Sequence, residues 1–118
     1  MNYYRNNIRH NKGDTFSCAL VVEDLGQDLE AVSFTCRENL NDNSEILFSS
    51  TLGDGVSLVE YDEENDIRKY AIRVEPNKTK DFQSGTYYYD EEIRVNGDVF
   101  TIMKGKFIIE QDSSRGGF

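Results

Sequence analysis

Hydrophobic residues recur at every second position through most of this chain. That period belongs to strands, not helices. Phe16, Cys18, Leu20 and Val22 fall on one face of a first clear strand, with Ala19 and Val21 on the other. Val32, Phe34 and Cys36 alternate with Ser33, Thr35 and Arg37. Ile46, Leu47 and Phe48 open a third segment, and Val56, Leu58 and Tyr61 mark a fourth. Tyr70, Ile72 and Val74 make a fifth, with Lys69, Arg73 and Glu75 outside. Polar turns separate them at Asn11–Asp14, Asp24–Leu29, Asn39–Ser44, Leu52–Gly55 and Asp62–Asp66. Residues 3–9 carry a weaker edge-strand pattern. Pro76 ends the fifth strand, and the stretch to Phe82 has room for one helical turn.

The closing half is the most explicit. Gly85 leads a turn into a tyrosine-rich strand over about 86–95, and Asn96-Gly97 supplies the positive φ angles of a two-residue type I′ hairpin. The return strand runs from Asp98 to Glu110. It is interrupted by Gly105, where a bulge is expected. Tyr87, just after the turn glycine, is placed to send its hydroxyl back to the backbone at that corner. Tyr89 and Ile93 share its face. So does Glu91, which must then sit near an edge, find a donor, or lie against a bulge. Seven or eight strands at regular spacing predict an all-β chain, specifically an antiparallel Greek-key β-sandwich of immunoglobulin-like type. A small barrel is the second expectation. The predicted core contains Phe16, Cys18, Leu20, Phe34, Cys36, Ile72, Val74, Tyr87 and Tyr89.

Composition narrows the class. A chain of 118 residues suits one domain, read as residues 1–112 with a loose tail at 113–118. A net charge of −9 disfavours nucleic acid and anionic membrane as partners. No segment has the length of a membrane span, and Met1-Asn2-Tyr3-Tyr4-Arg5 is not a secretion signal. Synthesis in a cytoplasm, with release only by another route such as assembly into a particle, is the expectation.

Candidate chemistry is sparse. Cys18 and Cys36 read as reduced, buried small hydrophobes; a bridge requires neighbouring strands. With a single distant His10 they do not make a tetrahedral metal set. The acidic tip Asp62, Glu63, Glu64, Asn65 and Asp66 offers oxygens but lacks the glycine and spacing of a calcium loop. Gly53-Asp54-Gly55 is a turn. No nucleophile and base can be paired, so no catalytic, cofactor-binding or metal residue is assigned and the chain is read as a non-enzyme. Arg5, Arg9, His10 and Lys12 form a basic cluster suited to docking an acidic neighbour.

Lys12-Gly13-Asp14-Thr15-Phe16, Phe34-Thr35-Cys36-Arg37, Leu52-Gly53-Asp54-Gly55, Gly85 to Asp90 and Gly97 to Gly105 occur in an order that resembles a known type. It is similar to the small immunoglobulin-like proteins encoded among tail and baseplate genes of phages and prophages of Gram-positive bacteria, and to the N-terminal domain of phage baseplate upper proteins. The likeness runs from about residue 10 to residue 112. The resemblance implies a virion structural or assembly role through contacts with other tail or baseplate proteins, without catalytic residues. With nothing after the tail to carry a receptor-binding head, host adhesion by this chain itself is not expected. Apolar residues on both sides of the closing strand, Phe100 and Ile102 against Val99 and Met103, suggest a core face and a second face that is either covered by a loop or exposed to dock a partner. Edge strands can also pair copies into a homo-oligomer. The rival expectation is a carbohydrate-binding module in which Tyr3, Tyr4, Tyr61 or Tyr88 stacks on sugar. A hydrolase is a distant third, requiring acids that folding alone would pair.

Overall fold

The computed structural model describes residues 4–41 and 43–111. Nine strands form there: β1 (Tyr4–Arg5), β2 (Ile8–Asn11), β3 (Phe16–Glu23), β4 (Ala31–Arg37), β5 (Ile46–Leu52), β6 (Gly55–Asp62), β7 (Ile67–Val74), β8 (Gly85–Val95) and β9 (Asp98–Glu110). A single 3-10 turn at Pro76–Lys78 follows β7. The expected tail at 113–118 lies outside the described residues.

The all-β reading holds, but the two-sheet Greek-key immunoglobulin-like sandwich does not. Hydrogen bonds join the strands into one continuous path, β1-β9-β8-β4-β5-β6-β7-β3, with β2 also on β9. The sheet is nearly closed into a barrel, the second of the two expected architectures. The junction that defeats the sandwich is the corner between β5 and β6. There Thr51 pairs with Gly55 and Leu52 with Val56 in parallel register. The Thr51 N–H donates to the Asp54 carbonyl at 2.9 Å, and the Gly53 N–H to the Val56 carbonyl at 2.9 Å. The ladder therefore turns the corner instead of ending there. Gly55 makes this approach feasible. Its φ is +99°, and a Cβ would stand 2.8 Å from the Ser50 Oγ and 2.9 Å from the Arg73 carbonyl. At the far ends of the path, His10 on β2 meets Phe16 on β3 with ring centroids 5.8 Å apart.

The core is aromatic at its centre. Phe107 is fully buried and touches the rings of His10, Phe16, Phe34, Phe48 and Tyr89. Phe34, Cys36, Ile72, Val74 and Tyr89 are buried as predicted, while Phe16, Cys18, Leu20 and Tyr87 pack half-buried against them. Tyr70 is also buried, its hydroxyl accepting the Leu29 N–H at 2.9 Å.

The closing hairpin forms with Asn96 at φ +53° and Gly97 at φ +79°, the signature of a type I′ turn. A bulge does occur in β9, but not at Gly105. The register shifts between Glu91 and Glu92, where Glu91 faces Met103 and Glu92 faces Thr101, so Ile102 is the extra residue. This explains the apolar residues of both parities. The bulge turns Met103 and Phe100 toward the same interior, and both pack against the core. The docking face expected on this strand is therefore mostly consumed; Val99 is its exposed remnant.

Gly105 serves a different need. The N-terminal segment runs parallel to β9, with Tyr4 and Arg5 opposite Met103 and Lys104, and Ile8 to Asn11 opposite Phe107 to Glu110. Between them Asn6 dips onto the strand. A Cβ at Gly105 would lie 1.7 Å from the Asn6 carbonyl oxygen. The dip delivers that oxygen to the buried Tyr89, whose hydroxyl donates to it at 2.8 Å.

Candidate functional site

The same dip builds one wall of an open cleft of about 780 Å³ on the outer face of β4, β8 and β9. Alternation decides which side chains reach it. Tyr89, Glu91 and Ile93 point inward along β8, so Tyr88 and Asp90 point out. Register then sets two rows across the three strands. Arg37, Tyr88 and Lys106 stand side by side in one; Thr35, Asp90 and Lys104 form the next. Asn6 and Asn7 close one end and Asn39 and Leu40 the other.

The far wall is held by Arg37 and the turn after it. A register shift between Cys36 and Arg37 ends the regular pairing with β5. The Arg37 Nη1 donates to the Ser44 carbonyl at 3.1 Å, and the Ser44 hydroxyl donates to the Asn39 carbonyl at 3.1 Å. The Arg37 Nε is buried and has no hydrogen-bond partner among the described residues. Leu40 projects outward, 78% exposed. At the near wall the Lys106 N–H donates to the Asn7 Oδ1 at 3.1 Å, which fixes the amide at the rim. Among the described lining residues three cations, Arg37, Lys104 and Lys106, thus meet one carboxylate, Asp90, on a chain whose net charge is −9.

Most titratable groups removed from water lie on the other side of the sheet, while Tyr89 also borders the cleft. Glu91 is buried, opposite Phe34 and Met103. Its donor is the Cys18 thiol, with sulfur and oxygen 3.8 Å apart. Burial raises the Glu91 pKa, and the thiol contact offsets this in part. Burial pushes the Cys18 thiol up to about 12, with Glu91 adding to the shift. Burial also lifts Cys36 to about 12. Tyr89 is likewise raised to about 12, by burial first and then by Glu91. Such thiols are poor nucleophiles at neutral pH. His10, expected in a loosely structured start, is instead buried on β2 with its Nε2 unpartnered, and burial lowers its pKa.

The sequence candidates separate in space. The basic cluster near the start is dismantled: His10 is interior, and Arg9 is ion-paired to Glu110 on the adjoining strand. Cys18 and Cys36 are free thiols on strands that do not pair. In the acidic tip, Asp62 accepts from the Asn65 side chain at 2.8 Å, while Asp66 takes the Gly26 N–H at 2.7 Å and an ion pair with Arg68. These oxygens turn to different partners instead of converging on one point. Tyr87 makes the expected corner, its hydroxyl donating to the Gln83 carbonyl at 2.8 Å. Of the tyrosines considered for sugar stacking, Tyr61 lies under the Arg68 guanidinium, 4.3 Å from its ring centroid, whereas Tyr88 lines the cleft. Tyr3 is outside the described residues. Arg37, Asn39, Lys104 and Lys106 were not singled out from sequence as a site; their common outward parity with Tyr88 was the available signal.

No family model matches the chain. No curated protein matches it either. Among solved structures, one similar in fold is a family 123 glycoside hydrolase from Clostridium perfringens, studied for hydrolysis of glycolipid glycans. It is 12% identical with a TM-score of 0.57 over 95% of this chain, and the match spans 24% of the hydrolase. A second, from work on multimeric cell-adhesive interactions of VGSC β subunits, is 12% identical with a TM-score of 0.40 over 93% of each chain. The first likeness concerns fold alone, and this chain spans about a quarter of that enzyme. None of these comparisons supports the immunoglobulin-like label or a phage or baseplate relationship.

Proposed function

We propose that this chain is a non-enzymatic contact module that works by binding another protein through the β4–β8–β9 cleft. One observation carries the reading: Glu91, Cys18, Cys36 and His10 are turned into an aromatic core while the open concavity lies on the outer face of the sheet, where Tyr89 holds its hydroxyl on the Asn6 carbonyl. Among the described residues the cleft presents amides, cations, one carboxylate, two tyrosines and one exposed leucine. Such a surface supplies hydrogen bonds and charge for recognition. A general acid or base of altered pKa would have to reach a substrate, and here Glu91, Cys18, Cys36 and His10 are on the wrong side, while the Tyr89 hydroxyl is committed to the Asn6 carbonyl.

The first partners to test are the products of neighbouring genes. Binary binding by calorimetry between purified proteins should be saturable and should weaken when Lys106 is changed to Glu. No binding among them would remove this reading. The second reading, carbohydrate recognition, is favoured by the position of Tyr88 beside three asparagines. A glycan array decides between the two: saturable sugar binding abolished by Tyr88→Ala would replace the protein-contact proposal.

A further inference from the structure

We infer that the cleft recognises an acidic peptide segment of its partner, one in which a carboxylate side chain sits beside an apolar one. This deepens the contact-module reading and rests on it. The charge distribution is the first ground. The chain as a whole repels anions, yet Arg37, Lys104 and Lys106 gather on one concave face where, among the described residues, Asp90 is the one carboxylate of the lining. A local positive site on a negative molecule selects a short anionic segment and resists a long polyanion such as nucleic acid, whose remaining charges would face the acidic surroundings.

The row geometry is the second ground. Arg37 and Lys106 flank Tyr88 on neighbouring strands. A carboxylate lying over the tyrosine is within reach of a cation from either side, and the guanidinium offers a fork that matches its two oxygens. Arg37 is held in place by its Nη1 bond to the Ser44 carbonyl, which keeps the guanidinium beside Tyr88.

The third ground separates a peptide from a sugar. Leu40, 78% exposed, stands at the end of the cleft. It offers apolar contact that a hydroxyl-covered ring has little use for. The side-chain amides of Asn6, Asn7 and Asn39 can both donate to and accept from a peptide backbone. The segment that fits carries Asp or Glu over Tyr88 and an aliphatic residue against Leu40.

The test uses three fluorescent libraries of random heptapeptides mixed with Leu: one Glu/Asp-rich, one Ser/Gln-rich and one Lys-rich. Anisotropy with the native protein should show saturable binding of the acidic library alone, weakened at least tenfold by Lys106→Glu. Arg37→Gln should do the same, while Lys69→Glu on the distant β7 should leave binding intact. Melting curves identify any variant that has not folded, and Lys106, being exposed, keeps the test valid if Arg37→Gln is unstable. Equal binding of the neutral library, or acidic binding indifferent to Lys106→Glu, overturns the inference. Binding of oligogalacturonate in place of the peptides overturns it in favour of an acidic sugar. A neighbouring-gene product that binds the native and Lys106→Glu proteins equally also overturns the cleft assignment, while leaving a contact role by another surface.

Discussion

Gly105→Ala is a small change with a large expected effect. The added methyl carbon would lie 1.7 Å from the Asn6 carbonyl oxygen and 2.7 Å from its carbon. Backbone atoms cannot yield as a flexible side chain does, so residues 6 and 7 must lift away from β9. The two bonds of Asn6 go with them, its N–H to the Lys104 carbonyl at 2.9 Å and the Tyr89 hydroxyl to its carbonyl at 2.8 Å, and the exposed Lys106 N–H to Asn7 Oδ1 bond is exchanged for water. An ordinary backbone bond contributes about 0.5–1.5 kcal/mol, and a buried hydroxyl left without its acceptor costs about 1–3 kcal/mol. Replacing glycine by alanine restores about 0.4–1 kcal/mol through the unfolded chain. The net expectation is a destabilisation of about 1–4 kcal/mol, read as a lower urea midpoint at unchanged slope. Tyr89→Phe removes the same hydroxyl, so the two changes should be less than additive in a double-mutant cycle. Full additivity, or a Gly105→Ala protein as stable as the native one, would refute the close-approach explanation for this glycine.

Glu91→Gln should stabilise the protein by on the order of 1–3 kcal/mol at pH 8 and by much less at pH 4, measured by urea denaturation across pH. The sign follows from its raised pKa: the folded state holds the proton more tightly, so this stability is present below the unfolded carboxylate pKa and lost as pH rises through the folded value. A pH profile parallel to the native one would show that Glu91 does not titrate as a buried group. His10 acts in the opposite direction, since its folded pKa is lowered. Stability is complete above the unfolded histidine value and falls as pH drops through it toward the folded one, and His10→Phe should abolish that loss while keeping the Phe16 and Phe107 contacts. Tyr87→Phe should cost about 0.5–1.5 kcal/mol in the same assay, because its hydroxyl bond is exposed. Cys36 should react with a thiol reagent only on unfolding, being fully buried; fast native-state labelling would contradict its place in the core.

Strands β3, β4 and β7 were legible in the chain because they alternate inward and outward residues along their whole length. Asn96-Gly97 fixed its hairpin in advance, since few other pairs accept two positive φ angles. The joining of the sheet was not legible. A corner such as Leu52–Gly55 looks the same in sequence whether it separates two sheets or carries one ladder onward, and the outcome depends on contacts with Ser50 and Arg73, the latter on another strand. Gly105 has the local form of a bulge, because its actual neighbour, Asn6, is distant in sequence. The true bulge at Ile102 left a trace in the mixed parity of Phe100 and Met103, which suggested an exposed face because strict alternation was assumed.

The cleft was harder to see, and the reason lies in its construction. Each of its strands contributes only the outward half of an alternating pattern, the half that ordinarily means solvent. Arg37, Tyr88 and Lys106 each read as an unremarkable surface residue. Only the register of β4 against β8 and of β8 against β9 sets them in a single row. That register is itself specified from inside, by the requirement that Phe34, Tyr89 and Phe107 meet in the core. A slip of one residue in β8 would expose Tyr89 and bury Tyr88, dispersing the row. The aromatic core therefore determines the alignment of charges on the opposite face. The tightest link between them is the Tyr89 hydroxyl, which reaches from the core to the Asn6 carbonyl at the cleft wall.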